Sequence, residues 1–272
     1  MLFLVLSSVP AILTFLPFFQ VSVKYVDYSL GDELSLHVTD NIMGKSPAIK
    51  IYRMTEDLSE QLDVPVREIK CTDFPEKVHQ AKFGAFNETI VSVDGFGRIQ
   101  KWDTETGKLL MQKEVHDGAI VAFAFDQHKQ QMLTASLDCS AVLWDVETLS
   151  EVRRFETNIP VRAMSISPWN DHIILAGGQD AKDVATKRMG SDNSQFAVRF
   201  YHKIFGDLIG TVKGGFSTVT SLSFSPDGKG FAVGFEEGSV RLYQLNDEYF
   251  SLYSKEADEA AIQLPPSVMA AQ

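Results

Sequence analysis

Residues 132–145 read MLTASLDCSAVLWD. An apolar run, Met132–Ser136, breaks at Asp138-Cys139, and a second run closes on Trp144-Asp145. Residues 90–103 read IVSVDGFGRIQKWD, break at Asp94-Gly95 and close on Trp102-Asp103, so the two tryptophans stand 42 residues apart. Downstream, FAVRFYH (196–202) places Tyr201 and FAVGFEEGSVRLYQ (231–244) places Tyr243, again 42 residues apart. Trp144 to Tyr201 spans 57 residues, and Tyr52 in PAIKIYRM (47–54) lies 50 before Trp102, so two insertions interrupt one lattice. A repeat of this length is the first thing to settle, because it fixes the unit of structure.

A second lattice has the same register. Turn-forming tetrads occur at Gly84–Asn87, Asp126–Lys129, Ser167–Asn170 and Ser225–Gly228. Each follows an alternating run (VHQAKF, IVAFAF, VRAMSI, VTSLSF) and precedes an apolar one (TIVSV, QMLTAS, IILAGG, GFAVGF). Period-2 alternation marks half-buried strands, and Gly, Pro, Asn, Asp and Ser suit the tight turns between them. The stretches PVREIK, KLLMQKEV, EVRRFET and DLIGTVKG supply a fourth strand. Four strands every 40-odd residues predict an all-β WD40 β-propeller. Five four-stranded blades are expected, at about 21–76, 77–117, 118–158, 159–215 and 216–250.

The chain has 272 residues, ordinary globular composition and net charge −11, so its bulk field gains little from a phosphate backbone. Cys71 and Cys139 have no metal-ligand spacing and read as reduced thiols. Residues 1–20, MLFLVLSSVPAILTFLPFFQ, are apolar but carry no positive n-region and are broken by Pro10 and Pro17. They are expected to lie outside the fold. Blades are expected over 21–253, and a short helix (SKEADEAAIQ) and disordered tail over 254–272.

Asp138, six residues before Trp144, is expected in the turn between second and third strands, accepting hydrogen bonds from nearby backbone and from His116. Phe96 stands at the corresponding place in the blade of Trp102-Asp103, Glu237 stands there in the last blade, and Lys213-Gly214-Gly215 replaces an expected Gly-His pair. Trp102, Trp144, Tyr201 and Tyr243 are expected to be packing anchors.

Signatures of catalysis are absent: there is no HExxH, GxSxG or CxxC, and Gly44-Lys45-Ser46 and Gly95-Phe96-Gly97 complete no nucleotide loop. The histidines at 37, 79, 116, 128, 172 and 202 have no metal-ligand spacing. Asn87-Glu88-Thr89 is a glycosylation sequon that matters only if residues 1–20 form a leader. The insertion within Gly177–Phe205 breaks the repeat, which makes it a better functional candidate than the blades. Gln179, Asp180, Lys182 and Asp183, together with Asp145 at a blade turn, are the candidate partner contacts.

SPWNDHIILAGGQDAKDV, QFAVRFYHKIF, IGTVKGGFSTVTSLSFSPDGKGFAVGFEEGSVRL and NDEYFSLY together resemble subunit I of eukaryotic translation initiation factor 3, from about Val21 to Tyr253. The resemblance implies a seven-bladed propeller without enzyme activity, cofactor or metal, acting in the cytoplasm. It also implies direct contacts with initiation factor 3 subunits B and G and an indirect one with the small ribosomal subunit, with no direct nucleic-acid or membrane binding. Five blades of an expected seven are countable, so residues 1–20 are read as standing in place of upstream blades. Open strand edges would then make the isolated chain poorly soluble or unstable. A WD-repeat signalling adaptor and a secreted or membrane-tethered propeller remain the alternatives.

Overall fold

The computed structural model describes residues 22–40, 47–55, 64–70, 78–178, 196–215, 217–246 and 249–250. The chain divides into two compact units, Met1–Val121 and Ala122–Gln272.

In the first unit, β1 (Val23–Tyr28), β2 (Leu34–Thr39), β3 (Ala48–Arg53) and β4 (Arg67–Lys70) form one antiparallel meander. A second contains β5 (Val78–Phe83), β6 (Thr89–Asp94), β7 (Arg98–Asp103) and β8 (Leu109–Glu114). β9 (Ile120–Phe125) straddles the division and pairs with β10 (Gln131–Ser136), followed by β11 (Ser140–Asp145) and β12 (Glu151–Glu156). The fourth sheet holds β13 (Val161–Ile166), β14 (His172–Gly177), β15 (Val198–His202) and β16 (Leu208–Val212). The fifth holds β17 (Val219–Phe224), β18 (Gly230–Phe235) and β19 (Val240–Gln244). This is the strand plan of a WD40 β-propeller. The last sheet shows three strands among the described residues, not the four expected.

Register proves the repeat. The five aromatic anchors each sit opposite the second residue of the second strand: Ser35↔Tyr52, Ile90↔Trp102, Met132↔Trp144, Ile173↔Tyr201 and Phe231↔Tyr243. A bulge falls at the anchor in three third-to-fourth strand pairs, at Lys101/Trp102, Leu143/Trp144 and Phe200/Tyr201. Another falls near the start of the first strand at Val23/Tyr25, Val78/Gln80, Val161/Ala163 and Val219/Ser221. Bulges add local twist, so the same irregularities give successive sheets the same shape.

Burial follows position in the sheet. β10 and β14 are buried almost throughout, whereas β8 is exposed along its length. An inner strand packed on both faces reads as a continuous apolar run. That explains QMLTAS and HIILAG, where alternation is lost. In the first unit Leu36, Ile49 and Ile51 share a core with Ala81, Phe83, Ile90 and Trp102. In the second, Ile174, Val198 and Phe200 pack with Leu222, Phe224, Phe231 and Val233. β19 is the outer described strand of its sheet, and Leu242 there is 82% exposed.

Polar bonds join neighbouring sheets within each unit. Asp27 Oδ2 accepts the Phe83 N–H at 2.9 Å, and Ser165 Oγ accepts the Phe224 N–H at 3.1 Å. In both cases the second-to-last residue of one first strand receives the last residue of the next. Among the described residues no helix is long and apolar enough to cross a membrane. Residues 1–20, Cys71 and the tail 254–272 lie outside the described residues.

Candidate functional site

The chemistry-bearing side chains concentrate in the turns. Where the third strand ends, Asp103 Oδ1 accepts the N–H of Thr106 at 2.7 Å and its hydroxyl at 2.6 Å. Asp145 Oδ1 does the same for Thr148, at 2.8 and 2.7 Å. These bonds hold the Asp103 carboxyl below its ordinary range, the Thr106 hydroxyl contributing most. His202 replaces the carboxylate after β15: its Nδ1 accepts the N–H groups of Ile204 and Phe205, both at 3.2 Å. The same backbone bonds close all three turns, from Asp103, Asp145 and His202 N–H to the carbonyls of Lys108, Ser150 and Asp207. Asp145, expected as a partner contact, thus already serves its own strand end.

Between second and third strands, Asp138 Oδ1 accepts the Ser140 N–H at 2.9 Å and hydroxyl at 2.7 Å. Glu237 accepts the Ser239 hydroxyl at 2.7 Å, so it takes the corresponding place in the last sheet. His116 is buried, with its N–H on the Gly97 carbonyl at 3.2 Å. His116 and Asp138 belong to different units. In the Lys213-Gly214-Gly215 stretch, the Gly214 carbonyl accepts the Arg241 guanidinium, and a Cβ on Gly215 would meet Phe235 at 2.5 Å.

Asp94 is a functional turn residue that the repeat pattern does not single out. Phe96 occupies the expected acidic position, but its ring is half exposed beneath the Arg98 guanidinium at 4.8 Å. Asp94, two residues earlier and fully buried, carries the carboxylate role. Its Oδ1 accepts the N–H groups of Phe96 and Arg98, both at 3.0 Å, and its Oδ2 pairs with Arg98 at 2.7–2.8 Å. An Asp followed directly by Gly, with Arg four residues after the Asp, is the signal the sequence carries for it.

Trp102 and Trp144 are buried anchors with matching bonds. Trp102 Nε1 donates to Ser92 Oγ at 2.8 Å, and Trp144 Nε1 to Thr134 Oγ1 at 3.0 Å. Tyr201 packs edge-on against Phe155, and Tyr243 stacks on Phe231. Asn87, the sequon residue, uses its side-chain amide twice on the Leu30 backbone, at 2.7 and 2.8 Å. Gln179, Asp180, Lys182 and Asp183 lie outside the described residues. No group of three or more His, Cys, Asp or Glu side chains that could hold a metal occurs among the described residues.

Comparison with known proteins agrees with this geometry. The model of the WD domain, G-beta repeat matches residues 107–145, and that of the Anaphase-promoting complex subunit 4 WD40 domain matches residues 164–262. Eukaryotic translation initiation factor 3 subunit I of Dictyostelium discoideum is 34% identical over 252 residues, covering 91% of this chain and 72% of that protein. The Bombyx mori protein of the same name is 32% identical, covering 84% of this chain and 69% of its own length. The Homo sapiens one is 30% identical with the same coverage, 84% and 69%. With the strand plan, the anchor register and these relatives in agreement, the chain belongs to the family of eukaryotic translation initiation factor 3 subunit I.

Proposed function

We propose that this translation initiation factor subunit is a non-enzymatic, cytoplasmic scaffold. It supports assembly of initiation complexes on the small ribosomal subunit by contacting the B and G subunits of initiation factor 3. The similarity to subunit I over nine-tenths of the chain supports this reading most. The turn chemistry supports it as well: Asp94, Asp103, Asp138, Asp145 and His202 hold backbone and hydroxyl groups of their own turns. Such surfaces offer docking faces. The insertion is the favoured contact, through Gln179, Asp180, Lys182 and Asp183, with Asp145 beside the turns of its sheet.

Affinity purification of the tagged full chain from cells tests the reading. Co-purification with initiation factor 3 subunits is expected; recovery with signalling proteins instead would overturn it. Reversing charge at Asp180 and Asp183 together is expected to weaken capture of the B and G subunits in a pull-down titration while leaving the melt unchanged. Unaltered capture of both removes those residues from the interface.

A further inference from the structure

Two apolar side chains of the first unit stand in water at the turns of adjacent sheets. Leu30, between β1 and β2, is 69% exposed, and Phe86, between β5 and β6, is 81% exposed. The two turns are tied together directly. The Leu30 N–H donates to Asn87 Oδ1 at 2.7 Å, and Asn87 Nδ2 donates to the Leu30 carbonyl at 2.8 Å. Phe86 lies at φ 52 and Asn87 at φ 60. Asn tolerates this left-handed region, but a bulky aromatic residue does so at a cost. The cost is not offset by burial of the ring, which contributes almost nothing to the core. Strain that keeps a large side chain in solvent points to use elsewhere.

The surroundings of this pair are acidic. Asp32 and Glu33 follow Leu30 in its turn, Glu88 follows Asn87, and all three are exposed. The Glu88 carbonyl accepts the Thr104 N–H at 3.0 Å, which brings the turn with exposed Glu105 alongside. Among the described residues, the cations at this end are Arg53, opposite Leu34, Arg67, whose side chain lies against Gly107, and Lys108. With the Asp103 carboxylate in that same turn, carboxylates outnumber these cations among the described residues.

We propose that Phe86 and Leu30 form an apolar anchor, ringed by carboxylates, that docks a basic segment of a partner protein. The segment's chemistry is a large apolar side chain set between Lys or Arg residues. Aromatic groups at such centres carry most of the binding energy, and the surrounding charge selects the partner and speeds its approach. The proposal rests on the reading that the chain works through protein contacts, and adds which face and what chemistry.

The test titrates the full chain with a fluorescent synthetic peptide in which Leu and Trp alternate with Lys and Arg. Its twin carries Glu at every cationic position. The basic peptide is expected to bind and the acidic twin to bind far more weakly; equal binding of the two would overturn the proposal. Phe86→Asn removes the ring and relaxes the backbone, so the fold is retained. It is expected to weaken the basic peptide about tenfold. Asp32→Lys with Glu88→Lys is expected to weaken it to a similar degree and to flatten its salt dependence. Glu151→Lys, in the second unit, is expected to leave affinity unchanged. Equal affinity for Phe86→Asn and the parent, or an equal loss in Glu151→Lys, would overturn the proposal, the latter by showing attraction to bulk charge alone. Loss of subunit co-purification with peptide binding intact would count against the scaffold reading, not against this site.

Discussion

Trp144 on β11 reaches diagonally to Thr134 on β10, two residues beyond its register partner Met132, the indole N–H donating to the threonine hydroxyl at 3.0 Å. Trp102 and Ser92 repeat the relationship in the preceding sheet at 2.8 Å. Each indole is buried, so its donor must be met inside the protein. Thr134→Val keeps the shape and removes the acceptor. It is expected to cost about 1–3 kcal/mol of stability in urea unfolding, and Thr134→Ser to recover most of it. Equal midpoints for valine and threonine would show that the bond is not needed.

Asp94 and Arg98 form a buried ion pair in the turn before β7. Asp94→Ala removes the acceptor of two backbone N–H groups and leaves the guanidinium without its carboxylate. The expected destabilisation is about 3–5 kcal/mol, the range for breaking one side of a buried pair. Asp103→Ala, at an exposed strand end, is expected to cost far less. Comparable losses at 94 and 103 in a denaturant series would contradict the assignment of the buried role to Asp94.

Gly97, Cys139 and Gly238 each stand five residues before an anchor, at φ 76, 69 and 89. Cys139 is the one of the three with a side chain in that conformation. Cys139→Gly is expected to stabilise the chain by about 1 kcal/mol, despite the greater freedom of glycine when unfolded. Gly97→Ala is expected to destabilise it, because a Cβ there would lie 2.2 Å from the His116 carbonyl. Thermal melts of the two variants shifting in the same direction would contradict this.

His37 and His172 are both held near a pKa of about 4, below the ordinary 6.5. Burial is the main cause in each. For His172 the neighbouring His202 adds to it and Asp171 opposes it. Such a histidine is neutral in the fold and takes up a proton on unfolding, so acid favours the unfolded chain. Stability is expected to be full above about pH 6.5, to fall as pH drops towards 4, and to lose nothing further from these groups below that. His172 also shares a 2.5 Å hydrogen bond with the Tyr249 hydroxyl. His37→Asn with His172→Asn is expected to flatten the fall in urea midpoint over this window. An unchanged slope would show that other groups carry it.

Much of the fold is legible in the sequence because a repeat states each feature several times. Anchors at 52, 102, 144, 201 and 243 define the register without reference to any strand, and the sheets set them at one matching position. Individual turns are harder to read, since different side chains solve the same problem. Asp94 replaces an acceptor expected two residues later, and His202 does with a ring nitrogen what Asp103 does with a carboxylate. The turn at Ser29–Asp32 is not among the four tetrads read from the sequence, although SLGD carries the same turn-forming residue types and its Ser29 N–H closes on Leu34 as Gly84 does on Thr89. Asp145 suggests a partner contact because Trp-Asp is conspicuous; its bonds to Thr148 account for the residue type. The positive φ of Phe86 leaves no sequence signal, because an aromatic residue is not one that the left-handed region favours.

Whether this chain joins translation initiation through protein contacts can be decided by sedimentation. The purified full chain is run with small ribosomal subunits, with and without the B and G subunits of initiation factor 3. Alone, the chain is expected to remain at the top of the gradient; once both partners are present, it is expected to move with the ribosomal particle. Co-migration without them at physiological salt, or no co-migration with them, would contradict the scaffold role.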